Sequence, residues 1–470
     1  MSNEGLSASP KAHRWDAIFS TECAARQPSI MQSLHLVLRD PNILSLGPGV
    51  APRDLYPFDN ISLRSKSGTD GENFWLESTK SESVQTGQDY DLSTALDYGQ
   101  ATGSPQLLSL VKDHVKTYHS PLYADWESVL TVGSTSALDI ALRMFTERGD
   151  HIIVEEYTYP AVMETGRPLG VRFTDVKIDE QGAIPESLDE LLGSWDEVHA
   201  GKRPRIIYLV PTGQNPTGAT ASPDRRRDIY RVAQKWDLYI LEDDPYYFFQ
   251  YEEPRHAGKT TKPVELAKTL LPSYLSMDTD GRVFRMDSLS KIIAPGLRMG
   301  WITVSEQVAE RFVRVQETSV QNPSGLSQFA MFKLLQHWSH EGFTEWILRL
   351  QSTYLSKRDV LKTLIDTHLP SSVISYDQPR GGFFIWLRID CTRHPQYHYK
   401  TPRQIEEEIY TKVIQQGALV LPGSWFQPDR GLERPDVFFR ISFAPPTAAK
   451  MEEVMKRFDI ALRICFGLNK

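Results

Sequence analysis

The chain of 470 residues carries 52 lysines and arginines against 60 aspartates and glutamates, a formal net charge of -8, with 40% apolar and 10% aromatic residues. That length points to two or more domains, or to one large α/β domain with appendages, and the apolar fraction suffices for a sizeable core. The modest, dispersed charge excludes a basic nucleic-acid-binding run and a disordered acidic tail.

Cys23, Cys391 and Cys465 are far apart. Their spacing argues against a disulfide framework and a C-x-x-C metal site, and fits a reducing compartment. The opening MSNEGLSASPKAHRWD has no apolar stretch of the secretory kind. No apolar run is long enough to span a bilayer, and the ending CFGLNK is neither a retention nor a peroxisomal signal. A cytoplasmic protein that binds neither membrane nor nucleic acid is expected.

In chain order, the first forty residues read as an arm with a short helical patch around 30–38. Residues 62–91, rich in Ser, Thr, Gly, Lys and Asp, read as a mostly exposed insertion. From residue 129 short apolar runs alternate with amphipathic stretches. Val129–Val132 precedes a helix over 135–145, and Ile152–Val154 and Ile206–Val210 follow. Ser222 caps a helix whose first position is Pro223 and which runs to about Trp236. Leu238–Leu241, a polar interruption over 252–262, Val283–Met286 and Trp301–Val304 complete this region. Apolar strands alternating with helices predict an α/β fold with a mainly parallel sheet covered on both faces. Beyond residue 325 come helical patterns at 326–338 and 342–369, a strand-like run Gly382–Leu387 and a helix near 402–416. Short strands at Leu419 and Phe438 and a helix over 448–464 follow. This predicts a second, α+β domain. The expected division is 1–61 as an arm with part of the small domain, 62–325 as the large domain, and 326–470 as the small C-terminal domain.

In parallel sheets ligands bind beyond the carboxyl ends of the strands, so chemistry is sought there. After Val132, Gly133-Ser134-Thr135-Ser136 opens a helix. Free amides and hydroxyls at that position suit a phosphate, though they are also ordinary capping residues. After Val210, two prolines and two glycines fix the loop Pro211–Gly218 and aim the Asn215 amide outward; the plain alternative is a turn-rich connection. After Leu241 come Glu242, Asp243 and Asp244, then Pro245 and Tyr246. Three successive acids are costly unless solvated or paired, so the choices are a solvated rim, a metal site, or one acid facing a cationic ligand atom. After Met286 come Ser288, Lys291 and Arg298 around the turn Pro295-Gly296. A single lysine there is more simply a surface residue. Together, the four strand ends offer phosphate donors, an amide, an acid with a phenol, and a lysine with an arginine. Pyridoxal phosphate needs this set: a lysine for its aldehyde, a carboxylate for its ring nitrogen, and hydroxyls, amides and an arginine for its phosphate.

With Pro211–Gly218, Glu242–Tyr247 and Asp287–Gly300 in this order, the chain resembles the fold-type I, class I pyridoxal-phosphate aminotransferases. It is most similar to the fungal aromatic and the kynurenine/aminoadipate aminotransferases. The likeness begins near Ala24 and weakens over 62–91, and the segments Ala95–Tyr98 and Leu421–Trp425 point to the aromatic branch. The resemblance implies a seven-stranded, mainly parallel sheet in an α/β/α sandwich plus a smaller α+β domain. It implies Lys291 as the Schiff-base lysine and proton shuttle, and Asp243 as the partner of the ring nitrogen. Asn215 and Tyr246 match donors to the ring's phenolic oxygen, and Tyr159 the residue stacked on the ring. Ser134, Thr135, Ser288 and Arg298 match the phosphate cradle. Tyr98 matches a tyrosine that reaches the phosphate of the other subunit, implying a homodimer with shared sites. Arg440 matches the arginine that grips the substrate carboxylate, alongside Asn215, and Gly49 a point of close backbone approach to substrate. No metal is implied. Gln32 stands where relatives often carry a basic residue, and Pro48 is a further departure. The implied reaction is ping-pong amino transfer from an aromatic L-amino acid (Phe, Tyr, Trp) to a 2-oxo acid such as 2-oxoglutarate. The alternatives are a broad 2-aminoadipate/kynurenine aminotransferase or a lyase using the same cofactor.

Overall fold

A computed structural model describes residues 9–29, 42–43, 46, 49, 51–66, 72–80, 89–251 and 262–468. The expected helical patch at 30–38, Gln32, Pro48 and nearly all of the 252–262 interruption lie outside the described residues.

The strands are β1 (Asn60–Lys66), β2 (Asn73–Thr79), β3 (Trp126–Thr131), β4 (His151–Glu155), β5 (Arg172–Val176), β6 (Ile178–Asp179), β7 (Gly182–Ala183) and β8 (Ile206–Leu209). They continue as β9 (Tyr239–Asp243), β10 (Val283–Ser288), β11 (Gly300–Ser305), β12 (Ile374–Tyr376), β13 (Phe384–Ile389), β14 (Leu421–Pro422) and β15 (Val437–Ser442). Seven form one sheet in the order β3-β11-β10-β9-β8-β4-β5. β4 runs parallel to β5 and β8, and β9 parallel to β10, while β11 is antiparallel to β10 and β3. This is the α/β fold with a mainly parallel sheet that the alternation of apolar runs and helices predicts. β12-β13-β15-β14 make a second, four-stranded sheet, antiparallel throughout.

The chain packs as two compact units. One comprises Met1–Arg148, Tyr239–Pro245 and Gly258–Ile347; the other comprises Gly149–Leu238, Tyr246–Ala257 and Leu348–Lys470. In the first, the helix Ser134–Phe145 buries Ala137, Leu138, Ile140, Ala141, Leu142, Met144 and Phe145. These positions recur at helical spacing, so one face is almost wholly apolar. Phe145 meets Phe284 of β10 edge-on at 5.9 Å. In the second unit, the helix Pro402–Gln415 starts with a capping box between Thr401 and Gln404. Phe458 of the helix Ala448–Phe466 packs on Phe439 of β15 at 5.8 Å.

One expectation changes. The segment 62–91 is not simply an exposed insertion: β1 and β2 pair antiparallel, with Leu63 opposite Leu76. Trp338 donates its indole N–H to the Lys66 carbonyl at 3.0 Å, and Phe74 stacks on His337 at 3.6 Å. The apolar residues Ile61, Leu63, Phe74 and Leu76 alternate along the strands, but they are too few among polar neighbours to stand out as a pattern. The helical patterns at 326–338 and 342–369 appear as expected, as two helices within Gly325–His368 parted at Ser339, where φ is 56° and ψ is -172°. No helix among the described residues is long and apolar enough to cross a membrane.

Candidate active site

In the first unit, β3 ends at Thr131 and Gly133, at φ 80°, turns the chain into the helix Ser134–Phe145. A Cβ on Gly133 would lie 2.5 Å from Arg298 Nη2, so the guanidinium occupies the space of any side chain there. Arg298 follows the short turn Pro295–Leu297 in a left-handed conformation. It donates to Pro295 O at 3.1 Å, Ser290 Oγ at 3.3 Å and Val132 O at 3.4 Å, all neutral oxygens. Ser134 Oγ is buried and has no hydrogen-bond partner among the described residues. Ser288 closes β10, and its Oγ accepts the Ser290 N–H at 3.1 Å. Thr135 and Lys291 are exposed, the lysine in the turn directly after Ser288. A helix N-terminus with open amides, an unsatisfied hydroxyl and a guanidinium without an acid partner in its hydrogen bonds is the donor set a phosphate requires.

The three acids after Leu241 are all buried, which removes the solvated-rim reading. Side chains alternate along a strand, and the register places Arg285 of β10 opposite Glu242 of β9. Arg285, fully buried, reaches Glu242 at 3.0 Å, Asp244 at 3.8 Å and Asp287 at 2.8 Å. Burial opposes its charge, but Asp287, Glu242 and Asp244 outweigh that and hold its pKa above the ordinary value. Burial pushes the Asp287 carboxyl upward against the pull of Arg285. Glu242 also accepts the Tyr274 and Leu275 N–H groups at 2.8 and 3.2 Å. Glu242 and Asp244 both pair with Arg285, whereas Asp243 stands opposite Met286. No cluster of three or more His, Cys, Asp and Glu residues able to hold a metal occurs among the described residues. Arg285 was not singled out from the sequence; its signal was an arginine inside an otherwise apolar strand next to a triad of acids.

In the second unit, the loop after β8 turns through a cis Asn215-Pro216 bond and a Gly213 at φ 53°. A Cβ on Gly213 would stand 2.2 Å from the Gly382 Cα, so two backbones touch where both residues lack side chains. Asn215 Oδ1 accepts from Arg440 Nη1 at 2.6 Å. A guanidinium only donates, so the amide oxygen must face it, and the amide NH₂ is turned elsewhere as a donor. Arg440, on β15, lies 4.4 Å from the Phe384 ring centre and 4.9 Å from that of Phe426. Burial lowers its pKa, with Tyr246 and Tyr159 acting in the opposite sense. Tyr246 is buried, edge-on to Phe383 and Phe384 at 5.2 and 5.8 Å. Tyr159 caps the helix Pro160–Leu169. A cavity of about 370 Å³ is lined by Tyr159, Glu164, Leu421, Trp425, Phe426 and Arg440, among others.

Glu155, at the end of β4, is a further functional candidate that carries no signal in the sequence. It is buried and accepts from Gln214 Nε2 at 3.1 Å, which anchors the residue before Asn215. Burial raises its pKa to about 7 from 4.5, although Gln214 and backbone N–H groups pull the other way. A carboxyl raised in the folded state favours folding fully below the unfolded value and loses that contribution as pH rises through the folded value. Wild-type stability is therefore expected to fall by on the order of 3 kcal/mol between about pH 4.5 and 7 from this group alone. Glu155→Gln should flatten that slope in urea titrations at several pH values, and an unchanged slope would clear Glu155 of the effect.

The remaining predicted residues sit apart. Tyr98 is 64% exposed beyond the helix Leu92–Leu96. Gly49 is exposed, with nothing within 4 Å of where its Cβ would stand. The structure thus brings Ser134 and Arg298 together in one unit, with Asp243, Ser288 and Lys291 on neighbouring strand ends, and gathers Tyr159, Asn215, Tyr246 and Arg440 in the other.

Comparison with known proteins adds to this geometry. The family Aminotransferase class I and II matches residues 71–458. The chain is 39% identical over 466 residues to an aromatic amino acid aminotransferase of Schizosaccharomyces pombe, the match covering 96% of each chain. An L-tyrosine:2-oxoglutarate aminotransferase of Tapinella panuoides is 32% identical, over 87% of this chain and 86% of that one. The crystal structure of aminotransferase Aro8 from Candida albicans superposes with a TM-score of 0.90 at 35% identity, covering 98% of this chain and 100% of the other.

Proposed function

Because the chain belongs to the class I and II aminotransferases, we propose that it transfers the amino group of an aromatic L-amino acid to a 2-oxo acid such as 2-oxoglutarate, with pyridoxal phosphate as cofactor. The observation that carries this reading is Arg440. Its guanidinium is packed over two aromatic rings and hydrogen-bonds a neutral amide rather than an acid. A cation in that setting favours an incoming carboxylate, which a guanidinium meets in a bidentate fork. The relatives named for aromatic donors support the donor class.

The residues present fit the cofactor. Ser134 Oγ is a buried hydroxyl without a hydrogen-bond partner among the described residues, and the Arg298 guanidinium lies beside Gly133, at the helix N-terminus. Ser134, Thr135, Ser288 and Arg298 would hold the phosphate, and Asp243 would keep a proton on the ring nitrogen. Asn215 and Tyr246 would donate to the ring oxygen, and Tyr159 would cover the ring face. When bound, pyridoxal phosphate supplies an aldehyde for covalent capture of the amine and a ring that accepts electrons from Cα. Lys291 anchors the cofactor and moves the proton at the substrate Cα. Arg440 and Asn215 fix the carboxylate, with the Gly49 backbone approaching the substrate. A homodimer, in which Tyr98 serves the phosphate of the neighbouring subunit, and a cytoplasmic location belong to the same proposal.

The test is a donor panel with 2-oxoglutarate: tyrosine, phenylalanine, tryptophan, kynurenine, 2-aminoadipate and aspartate, run on wild type and Arg440→Ala. The aromatic donors should show the highest kcat/KM, and formation of glutamate with the oxo acid separates transfer from a lyase. Arg440→Ala should lose roughly 2–5 kcal/mol of transition-state binding for every donor, about 30- to 5,000-fold in kcat/KM. An aspartate optimum would overturn the donor class, and a near-normal Arg440→Ala would remove that residue from the site.

A further inference from the structure

Within the second unit the turn Gly423–Phe426 is fixed at both ends. Glu406, a buried acid on the helix Pro402–Gln415, accepts the Ser424 N–H at 3.1 Å. The Phe426 carbonyl accepts the Thr158 N–H at 2.9 Å, one residue before Tyr159. The Phe426 ring lies under the Arg440 guanidinium and meets Trp386 edge-on at 6.0 Å. Between these fixed points stands Trp425, 41% exposed. Its ring is held edge-on to Tyr410 at 5.3 Å, and it lines the same cavity as Arg440 and Tyr159. Arg430, also on that cavity, donates to the Trp425 carbonyl at 3.3 Å and pairs with Glu164 at 3.6 Å. The lining is thus aromatic, with one anchoring cation and one ion pair, which is the composition of a small-molecule site.

We propose that Trp425 is the specificity-determining residue of the donor site. With the substrate carboxylate on Arg440, an aromatic side chain packs against the Trp425 indole. Glu406 acts as a positioning residue, holding the turn that presents this ring. Aromatic pairs gain more than their buried area alone provides, so the indole favours a phenyl or indole group over an aliphatic one. The buried carboxylate that holds Ser424 keeps the turn from shifting, because releasing that N–H inside the protein would leave it unsatisfied. This inference rests on the proposal of aromatic donors.

The experiment measures, on the cofactor-loaded enzyme, calorimetric binding of two non-reacting acids, 3-phenylpropionate and butyrate. Wild type should prefer 3-phenylpropionate. In Trp425→Ala that preference should fall about tenfold, and in Trp425→Phe, which keeps a ring, it should largely return. Glu406→Leu should lower the preference, whereas Glu406→Gln, which retains an acceptor for the Ser424 N–H, should preserve it. Equal weakening of both acids in Trp425→Ala, with the preference intact, overturns the proposal. An intact preference in Glu406→Leu removes Glu406 from it. Trp425 is partly exposed, so its truncation opens no core cavity, and thermal melting of each variant checks the fold. The donor reading fails separately, on wild type alone, if aromatic amino acids do not lead the panel.

Discussion

Lys291→Ala is expected to reduce amino transfer by roughly ten-thousand-fold or more while sparing cofactor retention in part. On the roles proposed for Lys291, two functions would disappear together: the amine that captures the cofactor aldehyde, and the base that moves the Cα proton. A positioned base alone contributes about 10²–10⁴-fold, and loss of covalent capture adds to it. What would remain is the proposed cradle of Ser134, Thr135, Ser288 and Arg298, whose groups reach their places through β3, β10 and the Pro295–Leu297 turn rather than through Lys291. The variant should therefore hold pyridoxal phosphate through gel filtration at elevated ligand concentration, read by its absorbance, yet give almost no glutamate from phenylalanine and 2-oxoglutarate. Activity within tenfold of wild type would assign the chemistry to another residue. Complete loss of cofactor affinity would instead assign Lys291 most of the binding energy.

Arg285→Met is expected to cost roughly 3–5 kcal/mol of stability. The substitution approximates the volume of the side chain but removes the cation that pairs with Glu242, Asp244 and Asp287. Three acids would then share a fully buried space, and protonating them costs free energy at neutral pH. The sign of the pH dependence follows. Without Arg285 the folded-state pKa values of these acids rise, so the penalty is largest at neutral pH and shrinks as pH falls. Urea denaturation at pH 5 and pH 7.5 measures both effects. A loss below about 1 kcal/mol, or one independent of pH, would mean that the cluster is not held by charge. Because β9 and β10 carry Asp243 and Ser288, two of the proposed cofactor contacts, weaker cofactor binding should accompany the loss of stability.

The α/β class, the strands of the large sheet and the helix caps were legible because they depend on local period and capping chemistry. Ser222 and Pro223 open the helix Pro223–Lys235 as expected. The aminotransferase family was legible because three loop motifs follow one another in a specific order. The groups that hold the site in place were much less visible. Glu155, Arg285 and Glu406 act through partners 59, 43 and 18 residues away, and nothing local marks a buried acid as paired. The β1–β2 ribbon was hidden because only alternate residues turn inward, and few of those are strongly apolar. The cost of three successive acids at Glu242–Asp244 is legible in the sequence, but its resolution depends on which strand lies beside β9.

The strand order also has a consequence for how the protein is made. β3 is an outermost strand of the sheet, and its one neighbour is β11, with Thr131 opposite Gly300. Translation must therefore run on for roughly 170 residues, roughly 10–30 seconds at common elongation rates, before β3 can pair. During that interval Val129 and Leu130, which end fully buried, are presented with both strand edges open. Yield in a heterologous host should then depend less on final stability than on how well the nascent chain is kept from its neighbours, which favours low temperature and abundant chaperones.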